Sequence, residues 1–312
     1  MNRFFSSKLF SVIYAVLLFC FSAYVLLDAF IIPRTYSAAS TGSAQTLSAS
    51  SASDAGSESS GSSSSSAATS SDTYYSDGNI TITLVTTRQY DTAIYTADIV
   101  VSSPEYLQAA FANASYGRNI TAATSSIAAD NNAVLAINGD YYGGRSAGYV
   151  IRNGVLYRSD SAGDDQQDLA IYSDGSFEII SEGDISAQEL LDKGARQVFS
   201  FGPGLISGGE ITVDESSEVD RAMTSNPRTA IGEISPLHYV MVVADGRTSE
   251  STGLSLYQLA EYMQSLGVST AYNLDGGGSS TMYFNGRVVN NPTTNGRTIS
   301  ERKVSDIVYI GA

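Results

Sequence analysis

The chain begins with one long apolar stretch, and its later hydrophobic residues fall into short alternating runs. Residues 9–27 contain no charged side chain and are long enough to cross a bilayer as a helix. Arg3 and Lys8 precede this stretch, which favours a cytoplasmic N-terminus with the rest of the chain outside. We therefore predict a basic tail at 1–8 and a single-pass signal anchor at 9–32 in the cell membrane. A cleaved signal peptide is the alternative, although the apolar run is longer than a usual signal core.

Composition changes sharply after the apolar stretch. Residues 33–72 are rich in Ser, Ala, Thr and Gly and have little to bury, so we predict a disordered linker. The remaining residues, 73–312, regain an alternating apolar pattern and are numerous enough to form one core. We expect them to be a single extracytoplasmic domain.

Most of the periodic segments in that domain read as strands. Alternating or β-branched runs predict strands at 80–85, 93–101, 133–137, 238–244 and 304–310. Asn-Gly pairs at 153–154 and 285–286, and Asp-Gly at 174–175, predict hairpin turns.

Helix signals are fewer. Capping boxes begin at Ser186 and Ser255, and Ser103 followed by proline predicts a third helix start. Another helix is predicted at about 122–130. Because strands outnumber helices and hairpins join most of them, we predict an α+β domain with mixed, mostly antiparallel sheets and flanking helices.

The segment with the most chemical content is a glycine-rich loop after an apolar run. Asp275 comes first, and Gly276, Gly277, Gly278, Ser279 and Ser280 follow it. Glycines allow positive φ and close approach of a ligand, and exposed amides with serine hydroxyls can bind an anion. The pattern predicts a carboxylate beside a phosphate-binding loop. A glycine turn capped by Asp275 is the alternative.

Charge restricts the class of ligand. The formal net charge is −15 and the pI is about 4.3, which argues against nucleic acid as a partner. The single cysteine, Cys20, lies in the apolar stretch, so we expect no disulfide framework. The sequence requires no cofactor. Asp and Asn oxygens leave Ca²⁺ or Mg²⁺ open as a bound ion.

Four motifs together resemble the phosphodiester glycosidase family, from about Thr83 to the C-terminus. They are Asn-Gly-Asp-Tyr-Tyr at 138–142, Asn-Pro-Arg-Thr-Ala-Ile-Gly at 226–232, Asn-Leu-Asp-Gly-Gly-Gly-Ser-Ser-Thr at 273–281, and Glu-Arg-Lys-Val-Ser at 301–305. The resemblance implies a pocket lined by Asn138, Asp140, Arg228, Asp275, Gly276, Gly277, Ser279 and Arg302. Family tails commonly carry Asn where Asp306 stands here, so that position is left out.

The resemblance implies hydrolysis of a glycosyl-1-phosphodiester in a surface glycan or exopolysaccharide. We expect Asp275 and Asp140 to be catalytic, because an oxocarbenium-like transition state needs carboxylates. Arg228 and Arg302, together with the loop, would bind the phosphate. A structural salt bridge of Arg228 and a surface pair of Arg302 with Glu301 are alternatives. A phosphoglycan-binding protein and an exopolysaccharide assembly protein are the alternative functions. The sugar and the oligomeric state stay open.

Overall fold

A computed structural model of the chain describes residues 2–38, 68–218 and 225–311. Its four α-helices are α1 (Asn2–Phe30), α2 (Thr124–Asp130), α3 (Ala187–Asp192) and α4 (Leu256–Ser265). The strands are β1 (Arg34–Thr35), β2 (Thr69–Ser70), β3 (Tyr74–Ser76), β4 (Ile80–Gln89), β5 (Thr92–Val101), β6 (Leu107–Phe111), β7 (Gly117–Arg118), β8 (Leu135–Asn138), β9 (Val150–Arg152), β10 (Val155–Arg158), β11 (Gln167–Tyr172), β12 (Phe177–Ser181), β13 (Ala195–Phe199), β14 (Gly204–Ser207), β15 (Glu210–Ile211), β16 (Arg228–Ser235), β17 (His238–Ala244), β18 (Thr270–Leu274), β19 (Met282–Phe284), β20 (Arg287–Val288) and β21 (Asp306–Ile310). Single 3₁₀ turns lie at Pro104–Tyr106, Ala112–Ala114, Tyr142–Gly144 and Gly277–Ser279.

Three large sheets build the domain. The largest has the strand order β15-β14-β18-β16-β17-β5-β4-β3-β2, and two five-stranded sheets run β10-β9-β13-β11-β12 and β20-β19-β8-β21-β6. Every strand pair within the described residues is antiparallel. The predicted α+β class with mostly antiparallel sheets is therefore confirmed.

The sheets share one core and helices cover their outer faces. Strand β17 is apolar along its length because both of its faces are buried. Met241 packs into the core between the sheets, and Val242 packs against α4. On α4, Leu256, Leu259 and Met263 form a buried face, whereas Leu266, just after the helix, is only partly buried. Helix α2 covers the sheet that contains β8 and β21.

The predicted Asn-Gly turns and capping boxes are confirmed. Asn153 and Gly154 both have positive φ between β9 and β10, and Asn285 and Gly286 do the same between β19 and β20. Both predicted capping boxes are present, at the starts of α3 and α4. These are contacts between residues only one to three positions apart, which the sequence can specify by itself.

The helix predicted after Ser103 is wrong. The Ser103 side chain does accept a hydrogen bond from the Glu105 amide, but the helix ends after one 3₁₀ turn. Residues Leu107–Phe111 instead form β6, because they pair along their length with β21. Tertiary pairing has overridden a local helix start.

The residues that follow α1 contact the domain directly. A span of α1, Phe10–Asp28, is apolar and long enough to be a candidate membrane segment. Arg34 pairs with Asp28 at the helix end, and β1 then pairs with β7 of the domain. Most of the predicted linker, 33–72, lies outside the described residues. Its described ends form the short strands β1 and β2.

Candidate active site

Three strand ends of the largest sheet meet at one edge. Strands β16 and β18 are antiparallel, with Thr229 opposite Leu274, and β16 also pairs with β17, with Arg228 opposite Ala244. The start of β16 therefore lies between the ends of β17 and β18. This register brings Arg228, Asp275 and Arg247 to the same edge, although they are far apart in sequence.

Asp275 is the acidic residue of a cleft of about 440 Å³ at this edge. Its side chain is only 12% exposed, and Arg302 Nη2 lies 2.9 Å from Oδ2. Ser279 Oγ donates to the same oxygen at 2.6 Å and itself accepts from Arg302 Nε at 2.8 Å. Burial raises the pKa of Asp275 above its ordinary value, while Arg302 and the Ser279 hydroxyl act in the opposite direction. The carboxylate is thus held in one position and remains in contact with the cleft.

Positive charge dominates the rest of the cleft. Its lining consists of Tyr141, Arg145, Phe201, Asn226, Arg228, Arg247, Asp275, Gly276, Gly277, Arg302 and Lys303. Five of the seventeen Lys and Arg residues of the chain are therefore placed around one carboxylate. In a chain of net charge −15, such a concentration of cations selects for an anionic ligand.

The glycines of the loop serve close packing and a left-handed backbone. Gly277 has a φ of 61°, as predicted for a position that needs positive φ. A Cβ on Gly276 would lie 2.9 Å from the Pro227 carbonyl oxygen, and one on Gly278 would overlap Thr294 Oγ1. The loop therefore has no room for side chains at these two positions.

Most loop amides are already hydrogen bonded inside the protein. The Gly277 amide donates to the Pro227 carbonyl at 2.8 Å, and the amides of Ser279 and Ser280 donate to carbonyls within the loop. The cations that line the cleft, rather than these amides, supply its positive charge. The ligand-binding role predicted for Gly276, Gly277, Gly278, Ser279 and Ser280 stays a prediction, and Ser280 is fully buried.

Arg228 lies in the cleft lining but much of its guanidinium is engaged. Nε donates to the Leu254 carbonyl at 2.9 Å, and Nη2 forms a 3.0 Å salt bridge with Glu218. The side chain is 4% exposed, and burial lowers the pKa of Arg228. The salt bridge considered as an alternative is therefore present, and phosphate binding by Arg228 stays a prediction.

Arg302 is the more available of the two predicted arginines. Its side chain is 40% exposed, and its partner is Asp275 and not Glu301. Glu301 instead accepts from the Ser125 amide at 2.9 Å. The surface pair of Arg302 with Glu301 is therefore absent, and Arg302 reaches the cleft.

Asn138 is buried beneath the loop. Its Nδ2 donates to the Asp275 carbonyl at 2.6 Å, and its Oδ1 accepts from Thr229 Oγ1 at 2.8 Å. It fixes the backbone of Asp275 to strands β8 and β16. Asn138 does not line the cleft, so its predicted contact with the ligand stays a prediction.

Asp140 lies in a separate buried cluster. Its Oδ2 is 2.9 Å from Arg152 Nη2 and accepts from the Ser200 amide at 2.8 Å. Arg152 also binds Asp306 Oδ2 at 2.8 Å, while Asp306 Oδ1 is buried without a hydrogen-bond partner among the described residues. Asp140 is fully buried and absent from the cleft lining. The two predicted carboxylates do not share one pocket here, and a catalytic role for Asp140 stays a prediction.

Several cleft residues escaped the sequence prediction. Arg247 follows β17, donates from Nη2 to Asn226 Oδ1 at 3.0 Å, and would lie 2.9 Å from a Cβ on Gly277. Arg145 lies over the Phe201 ring at 4.9 Å. The Asp-Gly-Arg turn after β17 was the available signal for Arg247. Tyr141 and Arg247 also share left-handed φ values of 65° and 64°, which no sequence pattern announces.

A metal site has no obvious ligand group. No cluster of three or more His, Cys, Asp or Glu side chains suited to a metal occurs within 2–38, 68–218 and 225–311. His238, the one histidine, bonds to Asp98 at 2.9 Å on another part of the sheet.

Comparison with known proteins gives similar proteins both by sequence and by structure. A prophage-derived uncharacterized protein of Bacillus subtilis, YomE, is 32% identical over 170 residues, which is 53% of this chain and 26% of that protein. Mouse N-acetylglucosamine-1-phosphodiester alpha-N-acetylglucosaminidase is 32% identical over 176 residues, covering 51% of this chain and 33% of the enzyme. This chain thus spans a third or less of the length of these relatives.

The fold has a solved counterpart. The catalytic domain of the zebrafish N-acetylglucosamine-1-phosphodiester alpha-N-acetylglucosaminidase matches with a TM-score of 0.60 and 22% identity, covering 75% of this chain and 83% of that one. The family model for phosphodiester glycosidases matches residues 131–311, which is more than half of the chain and includes both Asp275 and Arg302. The chain therefore belongs to the phosphodiester glycosidase family.

Proposed function

We propose that the domain hydrolyses a glycosyl-1-phosphodiester, with Asp275 acting at the anomeric carbon. The observation that carries the proposal is one buried carboxylate, held by Arg302 and Ser279, in a cleft whose other charged residues are all cations. Family membership supports the same reaction class. The activity of the relatives named above belongs to longer proteins, so for this chain it is a proposal.

The proposed chemistry divides the cleft into two functions. Water adds to the anomeric carbon and gives up one proton to the Asp275 carboxylate, which passes it to solvent. The bond from that carbon to the phosphate oxygen breaks, and the electron pair leaves with the phosphate. Asp275 serves the sugar side, where positive charge develops in the transition state. The phosphate monoester leaves as an anion and needs little protonation, so Arg302, Arg247 and Lys303 neutralise it.

Asp140 is assigned a supporting function in this proposal. It is fully buried, and the Asp140 carboxylate accepts from the Tyr142 amide at 3.1 Å. The neighbouring Gly139 carbonyl accepts from the Asp275 amide at 3.2 Å. Asp140 thus helps to position the strand end on which the Asp275 loop rests, and we keep the catalytic role for Asp275.

The decisive experiment is turnover by the purified full chain on sugar-1-phosphodiesters with a panel of sugars and leaving groups. Release of free sugar is expected. Asp275→Asn keeps the shape of the side chain but removes its charge, so kcat should fall by about 10²–10⁴. The same variant should still bind a phosphosugar, because the cations remain.

A matched control is Asp98→Asn, at an exposed carboxylate whose one salt-bridge partner among the described residues is His238. It should leave turnover unchanged. An Asp275→Asn protein with full turnover would overturn the catalytic proposal. Tight phosphosugar binding by a wild-type protein without turnover would instead favour a phosphoglycan-binding protein.

We also propose that α1 anchors the domain at the cell surface, where phosphate-linked surface glycans or exopolysaccharide are the substrates. The apolar span Phe10–Asp28 and the Arg and Lys residues before it support this topology. Protease added to intact cells, or to spheroplasts where an outer membrane exists, should reach the domain. Complete protection of the domain would contradict the proposal.

A further inference from the structure

A second cavity lies beside the segment that follows α1. It encloses about 290 Å³ and is formed by Tyr36, Ser37, Tyr116, Gly117, Arg118, Tyr142, Gly143, Arg145, Ser146, Tyr157, Arg158 and Asp160. Four tyrosines and three arginines contribute to this lining. The volume corresponds to roughly ten water molecules, which is room for a phosphate with a small polyol. The cleft around Asp275 shares only Arg145 with it.

The arginines of this cavity have donors without acceptors. Arg118 Nε and Arg158 Nη2 are buried and have no hydrogen-bond partner among the described residues. Neither guanidinium forms a salt bridge there, even though the cavity also contains Asp160. A buried donor without an acceptor costs free energy that an anionic ligand would offset. In a chain of net charge −15, two such arginines in one cavity point to a phosphate.

Other bonds hold Arg158 in place. Its Nε donates to the Gly148 carbonyl at 2.6 Å, and its Nη1 donates to the carbonyls of Tyr142 and Arg145. Backbone carbonyls thus fix Nε and Nη1 of Arg158, whereas its Nη2 has no acceptor among the described residues. This is a preorganised donor rather than a mobile surface side chain.

The cavity is close to the end of α1. Tyr36 lies six residues after Phe30, so at most about 20 Å of chain separates them. Hydrogen bonds join the segment after α1 to the domain. The Tyr36 amide donates to the Tyr116 carbonyl at 3.0 Å, and Asn119 Nδ2 donates to the Ile32 carbonyl at 3.2 Å. The domain is therefore held against the helix end through β1 and β7.

We propose that this cavity binds the phosphate-polyol head group of an anionic lipid in the membrane that α1 spans. Arg118 and Arg158 bind the phosphate oxygens, and the tyrosine rings contact the polyol. The acyl chains would leave toward α1. The proposal rests on the membrane anchoring by α1 proposed above and not on hydrolysis in the cleft around Asp275.

The test is calorimetric titration of the full chain in a neutral detergent. The probes are dihexanoyl phosphatidylglycerol, dihexanoyl phosphatidylcholine and glycerol 1-phosphate. We expect the anionic lipid to bind more tightly than either of the other two. Arg118→Gln should weaken that binding by at least about tenfold, because one charge-assisted contact is lost.

Three further variants complete the test. Ser146→Glu adds a carboxylate to the exposed part of the lining without removing any bond of the two arginines, and it should also weaken binding. Arg287→Gln, at an exposed arginine of the β19–β20 hairpin, and Arg302→Gln, in the cleft, should leave it unchanged.

The following outcomes would contradict the proposal. Absence of binding, or binding that survives both Arg118→Gln and Ser146→Glu, would overturn the site. Loss of binding only in Arg302→Gln would assign the ligand to the cleft and overturn the proposal. Equal affinity for the lipid and glycerol 1-phosphate would overturn the lipid as the source and identify a soluble phosphate ester or a phosphorylated polymer.

Discussion

Two arginine–carboxylate clusters lie under neighbouring strand ends of this domain and differ in access to solvent. In the open cluster, Asp275 pairs with Arg302, whose side chain is 40% exposed. In the sealed cluster, Asp140 and Asp306 share Arg152, and all three side chains are at most 2% exposed. Asp275 and Asp140 were both expected to be catalytic from the family resemblance, and each lies just after a buried strand.

The two clusters show that carboxylates near strand ends can differ completely in their access to solvent and to a ligand. What separates the two is the direction in which each strand end faces. The strand β18 edge opens into the cleft, whereas the Asp140 side chain points to Ser200 and Arg152 inside the domain. The sealed cluster should therefore govern stability and the open one turnover.

The largest effect is expected from Arg152→Met. This change leaves two buried carboxylates without their shared cation, so the free energy of unfolding should fall by about 3–5 kcal/mol. Denaturant unfolding of the full chain measures it. A loss under 1 kcal/mol would show that the sealed cluster does not hold the fold together.

Arg302→Gln should have the opposite profile. The pair is partly exposed, so the free energy of unfolding should change by less than about 1 kcal/mol. Transition-state stabilisation should fall by about 1.5–3 kcal/mol, since a charge-assisted contact to phosphate is lost. Steady-state kinetics on a sugar-1-phosphodiester measures kcat/KM. Arg302→Lys should recover only part of the loss, and full activity in Arg302→Gln would contradict the phosphate role.

Asp306→Asn sharpens the comparison through pH. Burial and the charge of Asp140 raise the pKa of Asp306 from its ordinary 3.8 to about 7. Between these two values the folded protein holds a proton that the unfolded chain has released, so Asp306 destabilises the fold increasingly as pH rises. The variant lacks this effect. Relative to it, the wild type should lose on the order of 1–3 kcal/mol between pH 5 and pH 7.

Denaturant unfolding of both proteins at several pH values provides that measurement, because titration of all other groups largely cancels in the difference. The difference should become constant above the folded pKa. A difference that does not change with pH would mean that Asp306 stays ionised throughout.

The smallest effect is expected from two glycine changes. Gly277→Ala and Gly267→Ala both place a Cβ at positive φ, 61° and 81°, and each should cost about 1–2 kcal/mol of stability. Only the Cβ at Gly277 would meet Arg247, at 2.9 Å, since nothing lies within 4 Å of one at Gly267. Turnover should therefore fall in Gly277→Ala alone. Equal turnover in both variants would exclude a role for the Arg247 contact.

Local features of this protein were readable from the sequence for physical reasons. The apolar stretch of α1, the capping boxes of α3 and α4, and the Asn-Gly hairpins depend on residues within a few positions of one another. The Asp275 loop was readable for a similar reason, because a positive φ at Gly277 favours glycine at that position.

Only the tertiary structure decided which residues meet. The pairing of β6 with β21 replaced the helix that Ser103 announced, and the register of β16 between β17 and β18 brought Arg247 to Asp275. The same packing left Asp140 inside and Asp275 at the cleft, a distinction that no local pattern carries. Residue type and spacing encode backbone geometry over a few residues, whereas access to solvent and to a ligand depends on contacts between distant segments.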